Sequence, residues 1–151
     1  MKNEMHHSLL PVDVVFHPSW WHKNTGITFD EDFFFHPAKR VESERAMEQE
    51  LYNRFGRYGL GEDRDKDLPM IGAIHLAAGY LISGMMGCQL QFSDNAPPEV
   101  LPAKRENLDL EEPEVYFESI YFKRFQDMCS SLKEKFGYLT GDVNWAGILV
   151  N

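Results

Sequence analysis

The sequence predicts an α/β domain in which parallel strands are joined by helical crossovers, and three observations carry that expectation. Short β-branched or period-two runs stand at Pro11 to His17, Cys88 to Phe92 and Tyr138 to Val143. Apolar residues recur at three and four positions over Pro37 to Phe55, Ile71 to Met86 and from Glu118 to Phe136. The resulting order of strand, loop, helices and strand favours a parallel sheet covered by its crossovers.

Each element has its own signal. Pro11 to His17 (PVDVVFH) is bounded by prolines and reads as a buried strand. Pro18 to Gly26 reads as a loop, because a proline and a glycine punctuate it and Asn24-Thr25-Gly26 is turn chemistry. Phe29 to Phe35 is acidic and then aromatic. His36-Pro37 opens a helix that Gly56 closes, with Val41, Met47 or Glu48, Leu51 and Phe55 on its buried face. Gly59 to Asp67 is glycine and charge, hence a connection. Ile71 to Met86 reads as a nearly all-apolar helix capped at Gly87, and Cys88-Gln-Leu-Gln-Phe92 alternates as a strand. Asn95 to Pro102 is held extended by its prolines, and a polar connector follows. Phe122, Phe125, Cys129, Leu132 and Phe136 form the stripe of a helix that Gly137 ends. Residues 1–10 read as a loose terminus, and residues 11–151 as one partial domain. The apolar Ile148-Leu-Val150 has nothing after it to pack on, which predicts an incomplete sheet.

Composition removes several classes of function. The chain has 151 residues with 15 Lys+Arg against 24 Asp+Glu, a formal charge of −9. A basic face able to neutralise phosphates is therefore not expected, and nucleic acid is not an expected partner. Apolar runs fall short of the roughly 18 uninterrupted residues that suggest a membrane span. Cys88 and Cys129 are widely separated, without a CxxC and without a charged-then-apolar leader before them, which predicts a reduced, cytoplasmic protein. Phosphate-loop, dinucleotide, zinc-finger, HExxH and Gly-x-Ser-x-Gly patterns are all missing from the sequence.

Two constellations remain as candidate binding residues. His17, Trp20, Trp21, His22 and Lys23 follow the first expected strand, and ligands of parallel α/β folds bind beyond the carboxyl ends of strands. They would offer aromatic walls and cationic heads, or else the tryptophans cap the sheet and the cations are solvated. Asp142, Asn144 and Trp145 follow the last expected strand and would reach the same rim. The alternative for Asp142 or Asn144 is a helix cap. His17 and His22 lack a convincing third metal ligand, so no metal site is expected from this chain. Cys129 lies in an apolar stripe and reads as core, and Cys88 as structural.

The order of these features resembles the N-terminal portion of the uroporphyrinogen decarboxylase superfamily of (β/α)8 TIM barrels, which also contains cobamide-dependent methyltransferases. The resemblance rests on Val12 to Gly26, Phe33-Phe34-Phe35-His36-Pro37, the Ile71 to Gly87 helix leading into Cys88-Gln-Leu-Gln-Phe92, Pro97-Pro98, and Gly137 to Gly147. It implies the opening part of such a barrel, with the remainder missing.

Departures from the family pattern separate its activities. Decarboxylases of the family carry Arg-Gln-Ala-Gly-Arg where this chain has Ser19-Trp-Trp-His-Lys23, and a lysine does not replace a bidentate arginine fork. Their essential aspartate would fall near Ala77-Ala78. The resemblance thus implies the methyltransferase branch: methyl transfer between a corrinoid protein and a thiol or folate, with zinc held by a His and two Cys in later strands. That chemistry would be absent without those strands, and corrinoid protein and zinc are implied only for a complete family member. A second reading is a non-catalytic half-barrel that self-associates or binds a partner chain through Tyr138 to Val150 and the strand beginning at Val12. Uroporphyrinogen decarboxylation is the third and least supported.

Overall fold

The computed structural model describes residues 14–61, 76–101 and 111–136. They form a mixed α/β structure, mostly helical, with one small sheet: α1 (Pro18–Thr25), α2 (Glu31–Phe35), α3 (Pro37–Phe55), a 3₁₀ turn (Gly56–Tyr58), α4 (Leu76–Met85), β1 (Gln89–Ser93), β2 (Ala96–Leu101), α5 (Pro113–Phe117) and α6 (Ile120–Phe136).

The expected loop at Pro18 to Gly26 is a helix instead. Its supposed breakers are its two ends: Pro18 occupies the first turn, where no N–H is needed, and Gly26 sits at φ 75° with its N–H on the His22 carbonyl. His17 caps the start through Nδ1, which accepts the Ser19 N–H at 3.2 Å. His36 repeats the device before Pro37, accepting the Lys39 N–H at 3.3 Å. The aromatic run gains a short helix of its own because Asp30 Oδ1 accepts the Phe33 N–H at 3.0 Å, with Glu31 and Asp32 in the first turn.

Asp30 ties this corner together. Its Oδ2 accepts from the Thr28 hydroxyl at 2.9 Å and from the Lys39 ammonium. Partial burial pushes the Asp30 carboxyl up, but the bonds from Lys39, the Phe33 N–H and Thr28 outweigh it and hold the pKa below the ordinary 3.8. A carboxyl lowered on folding stabilises the fold above its unfolded pKa, and that contribution fades as the pH falls below 3.8 through the lowered value. Asp30→Asn should therefore lower the melting temperature at pH near neutrality, and the gap to wild type should close in melts at strongly acidic pH.

Two apolar clusters share α3. Trp21, Ile27, Phe29, Phe33, Phe34 and Met47 form the first, and Val41, Met128 and Leu132 the second, with Phe125 and Cys129 against it. Helix α6 begins at Ile120 rather than Glu118; of its expected stripe Leu132 is buried and Phe122, Phe125 and Cys129 are partly buried, while Met128, outside that stripe, is the other buried residue. The short α5 falls where only a polar connector is expected; Pro113 starts it. Burial of the thiol pushes the Cys129 pKa up despite the opposing charge of Arg40, in keeping with its partly buried place against the second cluster.

The sheet corrects the expectation of parallel strands for the described residues. β1 and β2 pair antiparallel through the Asp94-Asn95 turn, with Gln89 opposite Leu101, Leu90 opposite Val100, Gln91 opposite Glu99 and Ser93 opposite Ala96. Between the last two pairs Phe92 faces both Pro97 and Pro98. The prolines, which have no N–H to give a ladder, fall in this irregular step. Val14 to His17, the described part of the first expected strand, joins no sheet; Val14 and Val15 are 50% and 61% exposed. The expected strand over Tyr138 to Val143, and its pairing with Val12 to Phe16, lie outside the described residues.

Gly84 sets the approach of α4 to α6. A Cβ there would lie 2.6 Å from the Tyr121 ring. Gly84→Ala should cost about 1–3 kcal/mol in denaturant unfolding, the range for overpacked cores.

Candidate functional site

Helix α1 carries all five candidates from the first constellation, and the structure gives most of them a task in the fold. His17 is exposed, but its Nδ1 holds the start of the helix and lies 2.8 Å from Ser19 Oγ. Trp21 is 6% exposed and belongs to the first core cluster. Trp20 packs beside it at 4.9 Å between ring centroids, with Phe16 at 4.5 Å and Phe55 at 6.3 Å. The Arg54 guanidinium stands 5.4 Å over the Trp20 ring and is paired with Glu50. That position suits a cation–π contact at the surface.

His22 is tied down as well. Its Nδ1 lies 3.0 Å from the Ile27 carbonyl, which can only accept, so Nδ1 carries a proton and donates it to that carbonyl. Lys23 is exposed in the last turn, where a cation complements the helix dipole. The structure therefore brings Trp20 and Trp21 together with Phe16, Phe55 and Arg54, and places His17 and His22 at opposite ends of a two-turn helix. Asp142, Asn144 and Trp145, and with them the predicted shared rim, lie outside the described residues.

The zinc set that the family resemblance implies, one His and two Cys, does not fit the described residues. His17 and His22 use their Nδ1 atoms in the fold, and neither belongs to a described group of three potential metal ligands. Burial raises the pKa of the Cys129 thiol, and no described group of three His, Cys, Asp or Glu side chains is placed to hold a metal.

Sequence reading overlooks the polar centre of α3. Arg40, Ser43 and Glu44 are buried with Val41 and Met47, and Arg40 is 0% exposed. Arg40 Nε donates to Glu44 Oε1 at 2.6 Å, and its guanidinium lies 4.7 Å over the Phe33 ring. Nη1 and Nη2 find no hydrogen-bond acceptor among the described residues. The i, i+4 spacing of opposite charges is the sequence signal for the pair, though surface pairs share it.

A second seam, where Phe34, Phe35, Tyr80, Leu90, Phe92 and Tyr121 meet, encloses about 10 Å³. That is room for one water, so the seam is packed interior rather than a ligand pocket. Burial, reinforced by Glu99, pushes the Tyr80 hydroxyl pKa up. Burial and Glu31 do the same for Tyr121 against the opposing charge of Arg124. Both phenols stay protonated at neutral pH.

No family model, curated protein or solved structure matches the chain. Among the described residues, no helix is long and apolar enough to cross a membrane.

Proposed function

We propose that the chain is the opening segment of a uroporphyrinogen-decarboxylase-like TIM barrel of the corrinoid methyltransferase type, and that it contributes framework and partner contacts to methyl transfer between a corrinoid protein and a thiol or folate. The observation that supports this branch over the decarboxylases is the use made of α1. Where the decarboxylases place two arginines for substrate carboxylates, this chain buries Trp21, packs Trp20 under Arg54 and leaves Lys23 exposed. A porphyrinogen with several carboxylates needs bidentate clamps, and one exposed lysine is a point charge. Ala77 and Ala78, near which the resemblance would put the family's aspartate, lie within α4 and carry no carboxylate.

Titration calorimetry against a methylated corrinoid protein tests the reading. Saturable binding, with no carbon dioxide released from uroporphyrinogen, is expected. Absence of binding, or decarboxylation, overturns it.

Exposed apolar residues favour a second reading, a non-catalytic module covered by a partner chain or its own copy. Val14 and Val15 lead into the Phe16–Phe55 stack, and Ile120 is 71% exposed beside Phe117 at 51%. Sedimentation at micromolar concentration should show self-association. A monomer whose melt is independent of concentration removes this second reading.

A further inference from the structure

One cleft of the described residues remains without a task. It lies where the end of α2 and the start of α3 meet the middle of α6, has a volume of about 190 Å³, and is lined by Phe35, Pro37, Arg124, Asp127, Met128 and Ser131. That is more than ten times the roughly 10–15 Å³ that one water needs. The four α6 residues fall at i, i+3, i+4 and i+7, a single helix face.

The floor is apolar. Met128 is 2% exposed, and Phe35 and Pro37 close the opposite side. The one cation in the lining is already compensated: Arg124 Nη1 donates to Glu31 Oε1 at 2.6 Å, and its guanidinium lies 4.2 Å over the Phe35 ring. Among the described residues, neither the Asp127 carboxylate nor the Ser131 hydroxyl makes a hydrogen bond or ion pair. With Arg124 and Glu31 cancelling, the cleft carries the single negative charge of Asp127, on a chain of net charge −9. It therefore combines a short apolar trough with an uncommitted carboxylate and hydroxyl one helical turn apart.

We propose that this cleft binds a primary alkylammonium group, its carbon chain lying on Phe35, Pro37 and Met128 and its head donating to Asp127 and Ser131. An ammonium offers three donors and no acceptor, which matches a carboxylate and a hydroxyl, and its aliphatic stem covers apolar surface while the head stays near water. A carboxylate ligand is disfavoured, because Asp127 repels it and Arg124 is held by Glu31. The same chemistry is carried by a free amine and by a lysine side chain of another protein.

The test is amide chemical-shift titration of the chain with n-butylammonium chloride at constant ionic strength, with sodium butyrate as the counter-probe. Saturable shifts at Phe35, Asp127, Met128 and Ser131 are expected with the amine, at least tenfold weaker with butyrate. Asp127 is exposed, so Asp127→Asn should leave the fold intact and weaken the amine at least tenfold. Ser131→Leu, which fills the cleft, should abolish the shifts. A short peptide with one lysine, compared with the same peptide carrying norleucine, identifies the source: tighter binding than butylammonium assigns the site to a partner's lysine, and weaker binding assigns it to a free amine. No saturable shift up to tens of millimolar amine, equal response to butyrate, or an unchanged response in Asp127→Asn overturns the proposal.

Discussion

Replacing Arg40 with methionine is expected to cost about 3–5 kcal/mol, the penalty for leaving one member of a buried ion pair without the other. Arg40 is 0% and Glu44 6% exposed, so neither can turn to solvent without opening the packing between α2, α3 and α6. Loss of the guanidinium removes the 2.6 Å bond to Glu44 Oε1 and the contact over Phe33. The expected readout is a fall of roughly 6–20 °C in melting temperature, taking roughly 2–4 °C per kcal/mol for a chain of this size. The double variant Arg40→Met with Glu44→Met should recover part of the loss, since it removes the buried carboxylate together with its cation. Two guanidinium nitrogens are already without acceptors among the described residues, so an apolar pair of similar volume gives up less than the single variant does. A neutral Arg40→Met would mean that the guanidinium is solvated and α3 packs differently.

Phe33→Ala is expected to cost about 3–5 kcal/mol as well, through lost burial and the cavity left behind. Phe33 is 0% exposed, and its ring centroid lies 4.7 Å from that of Phe29 and 5.0 Å from that of Phe34. It also carries the Arg40 guanidinium on its face, so the two sites should not be additive: a double-mutant cycle should return about 0.5–2 kcal/mol of coupling. Denaturant midpoints for the four proteins measure it. Zero coupling would place Arg40 away from the ring.

Local signals made much of this structure readable. His36-Pro37 and Gly56 bracket α3 because capping and termination are decided by a few neighbouring residues, and the alternation of Gln89-Leu90-Gln91-Phe92 marks β1 for the same reason. The α1 helix escapes a reading that treats Pro18 and Gly26 only as breakers. It is two turns long, with adjacent tryptophans rather than an amphipathic stripe, and what holds it is packing on Phe16 just before it and on Phe55 at the end of α3. The pairing of β2 is masked by its prolines, which suppress a strand signal that the irregular register then permits. The candidate residues were legible by type but not by role. Only the fold shows that His17 is a cap, that Trp21 is core and that His22 is spent on Ile27, because each role depends on a partner that spacing alone does not reveal.

The paired prolines of β2 also bias the direction in which the sheet can grow. Pro97 and Pro98 offer no amide hydrogens over two consecutive positions, so a strand arriving beside β2 from another molecule would meet a gap in its ladder. Successive amides of a strand point to opposite edges, so the two prolines remove one outward donor from β2 and make that edge the poorer template for a further strand. The hairpin thus has two unequal edges, and the one that carries the prolines is the better protected from indiscriminate pairing.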